Sequence, residues 1–159
     1  MLTVDAARAR VLADVPRLQA ETVSLASARG RVLARAVRAS RDLPAFDSTA
    51  RDGYAVRAKD TAGARRAAPR VLRIVEDIPA GRVPARRLGP GETARIFTGA
   101  VLPDGADAIV QQEDAARAGD IVRIFVRVPR GEWIRPAGED VRRGEAVVPA
   151  GRRLRPGDI

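Results

Sequence analysis

The spacing of apolar residues changes early in this chain, dividing it into a helical start and a strand-rich remainder. Val4, Ala7, Val11, Leu12 and Val15 recur at helical spacing. This predicts an amphipathic helix over residues 4–15, with Thr3 as its N-cap and Pro16 as its stop. A face of this kind is expected to pack on the chain's own core. Val23-Ser-Leu25 reads as a short strand, residues 26–29 as one helical turn closed by Gly30, and residues 32–37 as a strand with Arg35 outward between Leu33 and Val37.

From residue 54 onward strand patterns dominate. Tyr54-Ala-Val56 opens one strand. In residues 71–78, Leu72, Ile74 and Ile78 alternate with Arg73 and Asp77, which predicts a half-exposed strand. Residues 92–97, 106–112 and 121–128 follow as strands, with turns at Pro79-Ala-Gly81, Leu88-Gly-Pro-Gly91 and Pro103-Asp-Gly105 between them. Gly119-Asp120 predicts a hairpin joining the strand at 106–112 to the one at 121–128, its loop lengthened by Arg117 and Ala118. The tail, residues 133–159, reads as short strands cut by Gly138, Gly144, Gly151 and Gly157. Trp133, the single Trp, is expected to anchor the core between the two halves. The class is α+β, mostly β, with a helix at the start.

Composition narrows the chemistry. A chain of 159 residues holds one sizeable domain or two small ones. It has no Cys and no His, which excludes disulfides, thiol nucleophiles, Ser-His-Asp triads and the usual zinc sites. A metal held by side chains would be a hard cation on carboxylates, with Mg²⁺ the natural candidate. No leader and no long apolar run is evident, so the expected location is the cytoplasm, without a membrane. The net charge is +9, and Lys59 is the only Lys among 29 cationic residues. The arginines are scattered rather than clustered with aromatics, which argues against nucleic acid; an anionic small ligand or an acidic partner fits the charge.

The varied chemistry concentrates in residues 43–56, Leu-Pro-Ala-Phe-Asp-Ser-Thr-Ala-Arg-Asp-Gly-Tyr-Ala-Val. Pro44 holds Leu43 extended, and Asp52-Gly53 reads as a sharp turn that exploits positive φ at Gly. Asp52 either caps that turn or presents a carboxylate to a cleft, and Asp47 reads as a loop-stabilising acceptor. Thr98-Gly99-Ala100 directly follows a strand; there Gly99 permits close approach, and the Thr98 hydroxyl with nearby amides can donate to an oxyanion. Glu139-Asp140, after Gly138, can bind a metal or pair with Arg135, Arg142 and Arg143. Gln111-Gln-Glu-Asp114 reads as a strand end with no catalytic role.

Residues 43–56 resemble the Leu-Pro-x-Phe-Asp-x-Ser-Ala-x-Asp-Gly-Tyr-Ala signature of the molybdopterin molybdenumtransferase family, that of MoeA and the gephyrin E domain. Thr49-Ala50 replaces the Ser-Ala pair, and Arg51 stands where an apolar residue is usual. Residues 95–114 and 131–140 also resemble the family, in the same order and spacing. The resemblance implies an enzyme that inserts molybdate into adenylylated molybdopterin with Mg²⁺, releasing AMP and forming molybdenum cofactor. It implies Asp52 and Thr98 as catalytic residues, Asp52 as metal-binding, and Gly99 and Asp140 as cofactor-binding. It implies a homodimer with contacts from the N-terminal half. It also implies a discontinuous, elongated domain of residues 1–43 plus 130–159 and an inserted β-rich domain of residues 44–129 carrying the cleft motifs. Family members continue past Ile159 into an α/β domain that carries the pterin site. The expectation is therefore an N-terminal portion, truncated and inactive alone, that holds one wall of the active site. Two other classes stay open: a non-catalytic dimerisation or scaffold module, and a basic nucleic-acid-binding domain.

Overall fold

The computed structural model describes residues 2–16 and 18–159. The chain divides into two compact units, Met1–Val37 with Val148–Ile159, and Arg38–Val147. Among the described residues the fold is mostly β, with two short α-helices, three 3₁₀ turns and ten strands.

In the smaller unit, helix α1 spans Val4–Ala13. Thr3 caps it as expected, its hydroxyl accepting the Ala6 N–H at 3.2 Å. The expected apolar face is not continuous, because Arg8 lies one turn from both Val4 and Leu12 on the same side, and it packs on no core: α1 has no buried residue, and Val4, Val11, Leu12 and Val15 are all exposed. Helix α2 is the expected single turn, Leu25–Ala28, followed by Gly30 at φ +78°. The strand expected at 23–25 is absent because Ser24 and Leu25 serve as cap and first residue of that turn. The strand expected over 32–37 is reduced to an isolated bridge, Val32 with Arg153, and to β1 (Val37–Arg38).

The larger unit is organised by strands β2 (Ser48–Thr49), β3 (Gly53–Val56), β4 (Arg70–Ile78), β5 (Glu92–Ile96), β6 (Ala108–Gln111), β7 (Ala115–Ala118), β8 (Ile121–Ile124) and β9 (Ile134–Arg135). Strand β10 is Ala146–Val148. Six strands form one sheet in the order β6-β3-β5-β4-β8-β7. The β4–β5 pair is parallel and the others antiparallel. The strands β2 and β9 form a separate pair.

Both faces of the sheet are covered. Alternation sends Tyr54 and Val56 of β3, and Ala108 and Val110 of β6, into one cluster with Leu72, Val122 and Ile124. Ala55 and Ile109 point the other way, to Ile78, Leu88, Ala94 and Ile96. Because each face has a core, β6 is a continuous apolar run, and its Ala108, Ile109 and Val110 are wholly buried.

Two sequence expectations change here. Leu72, Ile74 and Ile78 do not share a face. The β4–β5 register pairs Ile74 with Thr93 and Glu76 with Ala94, leaving Val75 as an extra residue. That bulge reverses the alternation, so Leu72 lies in the first cluster and Ile78 in the second. The hairpin at Gly119-Asp120 joins β7 to β8, with Ala118 opposite Ile121, rather than β6 to β8. Arg117 and Ala118 are strand, not loop; a 3₁₀ turn over Gln112–Asp114 separates β6 from β7.

Candidate functional site

Strand β3 fixes the site. It runs antiparallel to both neighbours, with Gly53 opposite Ile96 of β5 and opposite Gln111 of β6. The start of β3 therefore lies beside the ends of both flanking strands. Asp52, just before β3, meets the residues just after them: its carbonyl accepts the Gln112 N–H at 3.1 Å.

Gly53 is required for a reason other than the expected one. Its φ is not positive. A Cβ there would stand 2.0 Å from the Val110 carbonyl oxygen, so only a hydrogen lets the two strands approach at this point.

The Asp52 carboxylate meets Thr98 directly. Its Oδ1 accepts the Thr98 backbone N–H at 2.8 Å and the Thr98 hydroxyl at 2.7 Å. The backbone bond, then the hydroxyl bond, hold the Asp52 carboxyl below the ordinary carboxylate range; the Arg95 charge adds to this and desolvation opposes it. Both Thr98 donors point at Asp52, which makes Thr98 a positioning residue for that carboxylate in this structure. Gly99 follows at φ +82°, donating its N–H to the Thr49 carbonyl at 2.9 Å. No heavy atom lies within 4 Å of where its Cβ would be. Its left-handed backbone, rather than lack of space, demands glycine.

Asp52 and Thr98 line a hollow of about 340 Å³ together with Ala50, Arg51 and residues 111–113. Gln111, Gln112 and Glu113, read from sequence as an inert strand end, are brought here by the β3–β6 register. Arg95 lies over the rings of Tyr54 and Phe97 and donates to Gln112 Oε1 at 2.6 Å. Arg51 lies over the Trp133 ring, 4.7 Å from its centroid. Trp133 itself has φ +56°, a costly backbone for a bulky residue, and its carbonyl accepts the Ala50 N–H at 2.9 Å. It packs beside the second core cluster, inside the larger unit.

Asp140 does not line this hollow. Both its oxygens accept from Arg135 at 2.7 Å, while Glu139 takes the Arg135 Nε–H at 2.7 Å. Those two carboxylates, Glu139 first, raise the Arg135 pKa. Asp47 accepts the Ala137 N–H at 2.8 Å, tying residues 43–56 to the segment after β9. A larger hollow of about 560 Å³, walled by Arg57, Lys59, Arg87 and Asp107, contains none of the candidate residues.

Among the described residues no three carboxylates gather as a metal cage. Among the described residues nothing donates to the second Asp52 carboxylate oxygen, which suits a cation such as Mg²⁺ that keeps waters and substrate oxygens as its other ligands. No helix of the described residues is long and apolar enough to cross a membrane.

Comparison with known proteins identifies the family. The family described as the MoeA N-terminal region, domains I and II, matches residues 2–159. Molybdopterin molybdenumtransferase 2 of Mycobacterium tuberculosis is 47% identical over 133 residues, covering 83% of this chain and 33% of that protein. The molybdopterin molybdenumtransferase of Nostoc is 42% identical over 125 residues, covering 76% of this chain and 29% of the relative. The crystal structure of the molybdopterin biosynthesis MoeA protein of Pyrococcus horikoshii superposes with a TM-score of 0.81 at 42% identity, covering 87% of this chain and 36% of that one. The chain thus spans about a third of the length of the relatives it matches. With the fold, the three sequence stretches and these likenesses in agreement, the chain belongs to the MoeA N-terminal region family.

Proposed function

We propose that this chain forms one wall of the active site of a molybdenumtransferase, which inserts molybdate into adenylylated molybdopterin with Mg²⁺ and releases AMP. One observation carries the reading. Three stretches far apart in sequence, residues 43–56, 95–114 and 131–140, fold together around Asp52. Thr98 donates to its carboxylate, Gln112 to its carbonyl, and Trp133 supports the adjoining Ala50 and Arg51.

In this role Asp52 presents a fixed negative charge. Thr98 orients it and keeps it ionised, leaving the second oxygen for Mg²⁺ or for a proton of the substrate. Gly99 turns the chain immediately after Thr98 and does not itself line the hollow. Asp140 would join the site only by exchanging Arg135 for a ligand. The remaining walls come from the rest of the full-length protein, so the 159-residue chain alone is expected to produce no molybdenum cofactor. Turnover by the purified chain would refute that single-wall reading.

The decisive experiment is Asp52→Asn in the full-length protein. The change keeps shape and removes charge. Molybdenum insertion should fall by about 10- to 100-fold, the range of a lost charge-assisted contact, while the protein still folds. An Asn variant that inserts molybdenum at the wild-type rate overturns the assignment.

The exposed apolar residues of α1 favour a further element of the proposal, a homodimer. Val4, Val11 and Leu12 are 85%, 69% and 55% exposed, and nothing in the described chain covers them. A second copy is the occupant proposed.

A further inference from the structure

The hollow beside Asp52 contains a cation with no assigned task. The Arg51 guanidinium lies 4.7 Å from the Trp133 ring centroid. Among the described residues no carboxylate comes within ion-pairing distance of it. Its main chain is pinned: the Thr49 hydroxyl accepts the Arg51 N–H at 3.1 Å and donates to the Arg51 carbonyl at 2.6 Å. The side chain therefore starts from a fixed point and ends on a flat support.

Nearby arginines are employed differently. Arg95 also lies over aromatic rings, but it donates to Gln112. Arg135 is saturated by Glu139 and Asp140. A guanidinium resting on a ring keeps its N–H donors at its edge, and its planar fork matches two oxygens of one oxyanion. Stacking restrains the long side chain in advance, which lowers the entropy cost of binding.

We propose that Arg51 is an oxyanion-binding residue of this hollow, its guanidinium held on Trp133 and donating to two oxygens of a tetrahedral oxyanion, phosphate or molybdate. This rests on the reading of the hollow as part of the transferase cleft, and adds to it the residue that holds the anion. Arg51 and Asp52 then offer adjacent, opposite charges to an anion and its counter-cation.

Trp133 is the only Trp, so its emission reports on this site alone. The purified 159-residue chain is titrated with sodium phosphate and with sodium molybdate at constant ionic strength, with chloride as reference. Wild type should show a saturable emission change with at least one oxyanion and none with chloride. A phosphate-only response assigns the site to the nucleotide or pterin phosphate, and a molybdate-only response to the incoming metal oxyanion. Arg51→Met, which still covers the ring, should weaken binding about tenfold. Arg51→Lys keeps the charge without the fork and should fall between. Arg66→Met removes a cation lying over Phe125 and should bind as wild type does. No response from wild type, or equal affinity in wild type and both Arg51 variants, overturns the proposal. Binding through Arg51 alongside a full-length protein that inserts no molybdenum would instead refute the transferase reading alone.

Discussion

Helix α1 and strand β6 are both short, apolar-rich segments, yet their surroundings are opposite. Every apolar residue of β6 is wholly buried between two clusters, while α1 buries none. Both follow from local pattern: Val4, Ala7, Val11 and Leu12 give a helical face, and Ala108-Ile-Val110 gives a run suited to a sheet covered on both sides. Periodicity therefore shows which element forms, but not whether its apolar face finds a partner in the same chain. Burial in β6 stabilises this fold; the exposed apolar residues of α1 stabilise nothing within the described chain.

The largest effect that tests this contrast is at the sheet. Ile109→Ala should cost about 2–5 kcal/mol in urea unfolding, whereas Val11→Ala should change stability by less than about 0.5 kcal/mol in the monomer. Similar losses at both positions would erase the distinction. Next comes Gly53→Ala, which drives a Cβ into the backbone of β6. It should cost about 1–3 kcal/mol or more and disturb the Thr98–Asp52 contacts, readable as a shifted Thr98 amide resonance. An Ala variant with native stability would show that the strands can separate at that point.

A third change addresses the other side of the comparison. Leu12→Asp should convert the proposed dimer to a monomer in light scattering at micromolar concentration, leaving the sheet's unfolding midpoint in place. A wild-type chain that is already monomeric there would leave α1 without the proposed partner. The smallest effect concerns Thr98→Val. It removes the hydroxyl bond to Asp52 and keeps the backbone one. Asp52's folded pKa is depressed, so its contribution to stability is present above the unfolded carboxyl's pKa and lost as pH falls through the folded value. Thr98→Val should move that loss to higher pH, measurable by NMR titration of the Asp52 carboxyl. An unmoved titration would mean the hydroxyl bond is not formed in solution.

Much of the sheet was legible because β3, β4, β5 and β6 each carry strong local signals. The errors arose where pairing decides. One extra residue, Val75, moves Ile78 to the opposite face, and no alternation rule reveals a bulge. The hairpin turn was read correctly, but its first strand is the weakly patterned Ala-Ala-Arg-Ala of β7. At the site, Asp52 and Thr98 each flank a strand and hold chemistry-bearing side chains, but it is the family resemblance that singles them out. Gln111, Gln112 and Glu113 became neighbours of Asp52 only through the β3–β6 register. Arg51 was noticed as unusual, but its support on Trp133 depends on a contact 82 positions away (133 − 51). Asp140 reads in sequence as a weaker candidate than Asp52, with Arg135 one of three possible partners; which arginine it pairs with appears only in three dimensions.

The placement of Asp52 at the head of β3 has a consequence for motion. β3 is laddered on both edges, and its four residues are all buried. Amides in such a strand exchange with solvent only in the rarest openings, close to global unfolding. Asp52 thus adjoins a strand held on both edges, and Thr98 already fixes its carboxylate. Under the proposed function, any closure over bound substrate would come from elements that approach this wall, with the wall as the fixed reference for their movement.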